Sequence, residues 1–416
     1  MKKMFLLVCI FVLCFTGIGF ARGNNEQESI PVIWAKSGPE GDALLKAADV
    51  YLEQTGKQVN VVIQGRSNYR SAYNTALLAG STELDAVLDT SFVVPTLAAS
   101  GSLLDVTDYI ELSATYDVGD FEDVIVKEMQ FNDKWYMFPS DISSESLVYR
   151  TDLFGDAPET WDELIEKAVE NTKSINPNSE TEYGYAYSAA PGLLEGTFQG
   201  IMKAYGGQLV DESGRITVNS SNVKEAYQIM IDMRNVEKIT PPDITAWDYP
   251  ELLTALQEGI VASASFFTAG MPLLISADDS PKVAGLLEYS KQPAGPYGSF
   301  TRINPLGIMV NAKSKNVQAT VDFLLWVTGK EGGLVYSDFG GANPRSSIVS
   351  NTKYFEERPW YPELFEAMKG GVGSIRIAEA SIIRDIFNKW ASLALNGDVS
   401  VDEAFAGAEA EIKDNI

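Results

Sequence analysis

An α/β fold with a mainly parallel sheet is what this sequence predicts, and three observations carry the prediction. Short runs rich in β-branched residues alternate with longer stretches whose apolar residues recur at helical spacing. Glycine closes the helical stretches at 56, 80 and 101, as left-handed C-caps require. The 416 residues, 45% hydrophobic and 21% charged, supply two or three cores, yet no long Pro/Gly/Ser linker separates them. The cores are therefore expected to be interwoven through several short crossings.

The elements follow in order. Pro31-Val32-Ile33-Trp34-Ala35 reads as a short buried strand, broken at Gly38-Pro39. Leu44, Leu45, Ala48, Tyr51 and Leu52 mark a helix that ends at Gly56. Val59 to Ile63 is a second strand, and a helix over 69–79 stops at Gly80. Ala86-Val87-Leu88 is a third strand, followed by a helix from 92 to Gly101. Such a βαβ series pairs in parallel. Lys134 to Pro139 and Ser146 to Tyr149 read as strands. Thr160 caps the next helix, with Glu163 as its capping-box partner. Residues 171–182 are loop-like. Helices are expected at 196–205, 220–235 and 249–258, strands near 261–266 and 306–311, and a buried helix over 321–327. Ile382, Ile383, Ile386, Phe387, Trp390, Leu393 and Ala394 trace a long amphipathic helix.

Composition excludes much chemistry. The chain has no histidine, which removes Ser-His-Asp and Cys-His nucleophile systems, HExxH sites and His-ligated zinc. Its two cysteines, Cys9 and Cys14, lie in the first 15 residues, so no disulfide or thiolate site is expected beyond them. With 32 Lys and Arg against 57 Asp and Glu, the formal net charge is −25, a field that repels nucleic acid and anionic lipid. No cofactor is expected. Walker A, the dinucleotide fingerprint and GxSxG are absent.

The N-terminus reads as an export signal. Met1-Lys2-Lys3 is basic, Met4 to Phe15 is apolar, and Gly19-Phe20-Ala21 offers small residues for cleavage after Ala21. Lipidation at Cys14 is the alternative. The later chain has no stretch of about 18 apolar residues, so it reads as soluble.

In parallel α/β sheets, ligands meet the loops at the C-terminal strand ends. That rule points to Lys36 and Ser37 after the first strand, Asn68 and Tyr69 after the second, and Asp89, Ser91 and Phe92 after the third. Asp89 is expected to accept a ligand hydrogen bond. Trp247, between Pro242 and Pro250 on a polar stretch, reads as a ligand contact, whereas Trp34, Trp135, Trp161, Trp326 and Trp390 read as core. Arg302 reads equally as a cleft residue and as a solvated loop charge.

Five ordered stretches resemble one family. They are Gly56 to Ile63 with Tyr69 to Gly80; Asp85 to Asp89 with Leu97 to Thr107; Trp135 to Pro139 with Leu147 to Phe154 and Pro158 to Leu164; Gly206-Gly207 with Thr217 to Ser220 and Leu256 to Gly259; and Gly295 to Gly298 with Ser314-Lys315-Asn316 and Asn343-Pro344-Arg345. In this order and spacing the chain resembles the extracellular solute-binding proteins of ABC importers, of the sugar-binding family 1 type. The resemblance implies a two-lobed periplasmic-binding-protein fold with three hinge crossings, near Pro139-Ser140, Ala269-Gly270 and Ala312 to Ser314. Lobe 1 would comprise 22–139 with 270–312, and lobe 2 residues 140–269 with 313–416.

It also implies a monomeric, non-catalytic receptor that binds a carbohydrate between its lobes and delivers it to membrane permease subunits. Resemblance adds Asp141, Ser143, Thr197, Phe198, Gln199, Tyr249 and Phe267 to the candidate site, with Asn304, Arg345 and Arg376 as further candidates. The chain departs from the family's maltose-binding members. Asp89 stands where they place a stacking tryptophan, Ser143 where they have a cleft glutamate, and Ala269 near another tryptophan. Maltodextrin specificity is therefore not carried over. Alternative cargoes are a polyamine, for which Asp89, Asp141, Trp247 and Tyr249 would form an acidic aromatic box, and a glycerol phosphate ester. A secreted glycosidase needs only two carboxylates, and any acidic protein offers such a pair.

Overall fold

The computed structural model describes residues 30–416; the expected export signal over 1–21, with Cys9 and Cys14, lies outside them. Seven strands form one continuous sheet: β1 (Val32–Lys36), β2 (Asn60–Gln64), β3 (Ala86–Thr90), β4 (Met137–Arg150), β5 (Ser263–Phe267), β6 (Leu287–Ser290) and β7 (Arg302–Val310). Their order is β2-β1-β3-β7-β4-β5, with β6 paired to the far end of β4.

β1 runs parallel to β2 and β3, because each return passes through a helix, α1 (Pro39–Thr55) and then α2 (Arg66–Leu78). Gly56 closes α1 in the left-handed region at φ 72°, as its position predicts. Every other pairing among the seven strands is antiparallel. The sheet is therefore mixed, and parallel pairing is confined to its β2-β1-β3 end.

The strand that joins the lobes is β4, whose 14 residues are all buried. Its first half pairs with β7, and its second half lies between β5 and β6. The two strands expected on either side of 140 are thus mostly one. Lys134–Trp135 splits off as a small hairpin with Gln130–Phe131. Pro139, which cannot donate to a ladder, sits at a bulge where the register jumps from Gly307↔Pro139 to Leu306↔Asp141. The approach there is close: a Cβ on Gly307 would stand 2.3 Å from Cγ of Met137.

Packing assigns the helices. After β3 comes α3 (Val94–Ala99). The helix α4 (Trp161–Glu170) is capped by Thr160, whose Oγ1 accepts from the Glu163 amide at 3.2 Å; the Glu163 carboxylate takes the Glu159 amide rather than that of Thr160. Then follow α5 (Leu194–Ala204), α6 (Ser221–Asn235), α7 (Tyr249–Gln257), α8 (Val317–Val327), α9 (Lys330–Asp338), α10 (Ala380–Asn396) and α11 (Val401–Asn415). Both α8 and α9 lie on α1, and Tyr51 meets Phe323 at 5.2 Å and Trp326 at 5.1 Å. In the other lobe α10 packs on α5 and α11, where Phe387 stacks on Phe198 and Phe405.

These contacts correct two expected crossings. The segment after β5 stays in its lobe, because β6 pairs with residues 147–150 of β4. The chain returns instead along β7, and α8 and α9 remain on α1 beyond residue 312.

Candidate functional site

Between the lobes lies a cavity of about 520 Å³. One wall is Arg70 and Asn74 of α2, Thr90, Phe92 and Thr96; the facing wall is Glu195, Gly196 and Thr197 in the first turn of α5, with Phe267 at the end of β5. Arg302 and Asn304 of β7 form the floor, and Ser381, Arg384 and Asp385 come from the start of α10.

The first wall is held by Asp89, which is 0% exposed. Its carboxylate accepts from Arg70 Nε at 2.9 Å, Arg70 Nη2 at 3.1 Å, Tyr73 Oη at 2.6 Å and the Thr90 amide at 2.8 Å, and Lys36 Nζ lies 3.5 Å away. Burial alone would raise its pKa; Arg70, Lys36 and the hydrogen bonds outweigh that and hold it at about 2. Asp89 is thus occupied, contrary to its expected role as a ligand acceptor. It positions Arg70, whose guanidinium stands 4.6 Å from the Phe92 ring centre. Arg384 approaches the same ring at 4.0 Å.

On the floor, Arg302 Nη1 donates to the buried Glu145 at 3.0 Å, and its guanidinium lies 5.6 Å from the Phe267 ring. Gly196 makes room for it: a Cβ there would stand 2.5 Å from Arg302 Nη1. Burial raises the Glu145 pKa, and Arg302 opposes that rise. Glu195, also buried, accepts from Gln199 Nε2 at 2.6 Å and gives its own amide to Asn388 Oδ1.

Of the sequence-nominated residues, the cavity gathers Phe92, Thr197, Phe267 and Asn304, with Ser143 behind Asn304 at 3.5 Å. Lys36 is the ion-pair partner of Asp89 and Glu40 rather than a lining residue. Ser37 serves through its carbonyl, which accepts from Arg66 Nε, and Asn68 is exposed on α2. Tyr69 is buried, and its hydroxyl donates to the carbonyls of Trp34 and Leu88. Ser91 donates to the buried Glu128, and Arg376 ties Ser91 and Gln130 carbonyls to the same spot. Phe198 is 0% exposed among Tyr227 and Phe387; it packs the core because it sits on the inner face of α5, one residue past Thr197. Gln199 holds Glu195. Trp247 packs against the core, and its carbonyl accepts from the amides of Ala189 and Ala190, which shapes the loop beside the cavity. Tyr249 stacks on Phe266 at 5.0 Å, outside the lining. Arg345, 0% exposed, bonds the carbonyls of Tyr116, Asp117 and Thr328 and is structural.

Asp141 lines a second cavity of about 70 Å³, with Glu40, Thr268, Arg358 and Trp360. Its Oδ2 accepts from Tyr336 Oη and the Ala342 amide, both at 2.8 Å. Burial, with the Glu40 charge, pushes its pKa up to about 7 against those two hydrogen bonds.

Sequence reasoning missed Arg70, Glu195 and Arg384, and left Arg302 open. The cleft gathers three arginines, Arg70, Arg302 and Arg384. Their signal is faint, since Arg70 and Arg384 lie within helices and Arg302 opens a strand, where charge ordinarily means a solvated face. Among the described residues, no group of three or more His, Cys, Asp and Glu is placed to hold a metal ion, and no helix is long and apolar enough to cross a membrane.

The comparisons with known proteins decide the family. The description "bacterial extracellular solute-binding protein" matches residues 35–334. The chain belongs to the bacterial extracellular solute-binding proteins. A probable ABC transporter-binding protein of Deinococcus radiodurans is 25% identical over 345 residues, covering 80% of this chain and 79% of its own. The erythritol/L-threitol-binding protein of Mycolicibacterium smegmatis is 24% identical over 409 residues, covering 88% and 80%. Maltose-bound MalE3 of T. maritima shares the fold with a TM-score of 0.81 at 23% identity, covering 92% of this chain and 100% of its own. A ribitol-bound solute-binding protein of Agrobacterium radiobacter K84 also reaches 0.81, at 21% identity and 93% and 98% coverage. This solute-binding protein is accordingly the binding component of an ABC transporter, with the two-lobed fold of its relatives.

Proposed function

We propose that this solute-binding protein takes a carbohydrate or polyol between its lobes and hands it to the membrane permease of its importer. The observation that carries the reading is the composition of the interlobe cavity. Both donors and acceptors line it, Asn304, Thr90, Thr197, Ser188 and Glu195 among them, together with Phe267. Vicinal hydroxyls need such a mixed lining, and the C–H face of a sugar needs an aromatic surface. The volume falls in the range of small-molecule sites, roughly 300–1,000 Å³. Relatives named for erythritol or threitol and for ribitol support the same class.

The polyamine alternative is less well supported. Its four box residues are dispersed: Asp89 is saturated by Arg70, Lys36 and Tyr73, Asp141 lies at the second cavity, and Trp247 and Tyr249 face elsewhere. A thermal shift of residues 22–416 against sugars, polyols, polyamines and glycerol phosphates tests the reading. A ligand at 100 times its dissociation constant adds about 2.7 kcal/mol, a rise of a few degrees. A rise with hydroxylated compounds is expected; one confined to polyamines would sink the proposal.

A further inference from the structure

The cavity lining carries three arginines, Arg70, Arg302 and Arg384, against three acids, Glu195, Asp248 and Asp385. Behind the first wall Arg66, Glu40, Lys36, Asp89 and Arg70 form one connected ion network, with three cations on two carboxylates. On the floor Arg302 is matched by Glu145. The last arginine has no such match. Among the described residues Arg384 makes no hydrogen bond and no ion pair; its contact is the face of Phe92 at 4.0 Å. Burial and the nearby Arg70 and Arg302 disfavour its charge, while Glu195 and Asp385 support it from beyond ion-pair range. Of the other lining acids, Asp248 and Asp385 are exposed at the mouth, where water screens them. Two helix starts, those of α5 and α10, also line the cavity and bring the positive ends of their dipoles to it.

Five donor hydrogens on a guanidinium facing a cavity need acceptors once the lobes exclude water. A neutral hydroxyl satisfies one; an oxyanion satisfies two in the planar fork and supplies the missing charge. We infer that the cargo is a polyhydroxylated solute carrying one oxyanion, a carboxylate or a phosphate, seated between Arg384 and Arg70 over the edge of Phe92, with its hydroxyls toward Glu195 and Asn304. This rests on the carbohydrate or polyol reading above and narrows it.

Calorimetric titration at low ionic strength tests it on residues 22–416. The probes are matched sets: hexoses and hexitols, the corresponding uronates and aldonates, and hexose phosphates. In the native protein an acidic member is expected to bind at least tenfold more tightly than its neutral counterpart. Arg384→Gln should weaken the acid about 30-fold, equivalent to about 2 kcal/mol, and the neutral compound less than threefold. Arg384→Lys, which keeps charge but not the fork, should fall between. Uronates and phosphates as separate arms identify the anion.

Neutral compounds binding as tightly as the acids overturn this inference and leave the carbohydrate reading intact. Equal loss for acid and neutral ligand in Arg384→Gln overturns it too. Binding by none of the hydroxylated compounds overturns both. The wild-type comparison needs no variant, so misfolding of either substitution leaves the test standing.

Discussion

Two buried carboxylates in this protein have been pushed in opposite directions, and each makes a prediction about pH. Asp89 is held at about 2, below its ordinary value, by Arg70 and Lys36 against the cost of burial. Its contribution is present above the unfolded pKa of about 4 and is lost as pH falls toward 2. Asp89→Asn should therefore cost about 2 kcal/mol at pH 7 and little near pH 2. Urea melts at the two pH values check this, and an equal cost at both would refute the ion-pair account. Asp141 is the reverse case. Burial raises it to about 7, so the folded state binds a proton that the unfolded chain has released between about pH 4 and 7. Stability from this group falls as pH rises through that window. Both of its hydrogen bonds land on Oδ2, and the amide oxygen of asparagine can accept them. Asp141→Asn should melt a few degrees above wild type at pH 8 and level with it near pH 4. A lower melting point at pH 8 would mean the ionised form is the one the fold requires.

At the scale of elements, the site depends on where α5 begins relative to β7. Gly196 lets the helix start lie against the Arg302 guanidinium, which Glu145 pins from behind. Gly196→Ala should force Arg302 off that position, weaken cargo binding about tenfold or more and lower fold stability as well, because the atom it displaces is the one that pairs the buried Glu145. Full affinity in this variant would show that the arginine position is not needed. Removing the guanidinium is harsher. Arg302→Met leaves Glu145 buried without a partner and should cost about 3–5 kcal/mol, read as a shift in the urea midpoint. Elements also explain what was legible early. The β1-α1-β2-α2-β3 run was readable because each piece is local, with glycines at its turns. The long β4 was read as two strands because Pro139 interrupts a pattern that a bulge repairs. The helix α9, Lys330–Asp338, went unseen, as its Gly332 and Gly333 are poor helix formers that succeed only by packing closely.

For the whole molecule, the lobes meet at the cavity through few direct ties, and one is usable. Thr96 Oγ1 of α3 lies 3.3 Å from Ser381 Oγ of α10. The sequence has no cysteine beyond Cys14, so Thr96→Cys with Ser381→Cys adds the sole thiol pair to residues 22–416. The pair should cross-link under oxidation and slow cargo exchange at least tenfold, with reduction restoring it. Exchange that ignores the redox state would mean that the lobes do not part along this seam.

The sequence by itself determined the alternation of strands and helices and which residue types are missing for other chemistries, since those follow from local periodicity and composition, while its ordered motifs carried the resemblance to the family. It also nominated the strand ends around the cleft, because parallel strands carry their ligand loops there. Tertiary structure alone decided which side chain at each strand end faces the cavity. Asp89 and Tyr69 turned inward as supports, and Phe198 went to the core one residue from Thr197. Arg70, Arg302 and Arg384 converged from sites more than 80 residues apart in sequence. Local propensity records what a residue prefers to be, whereas the placement of a charge is settled by which distant partner, Asp89 or Glu145, is folded against it.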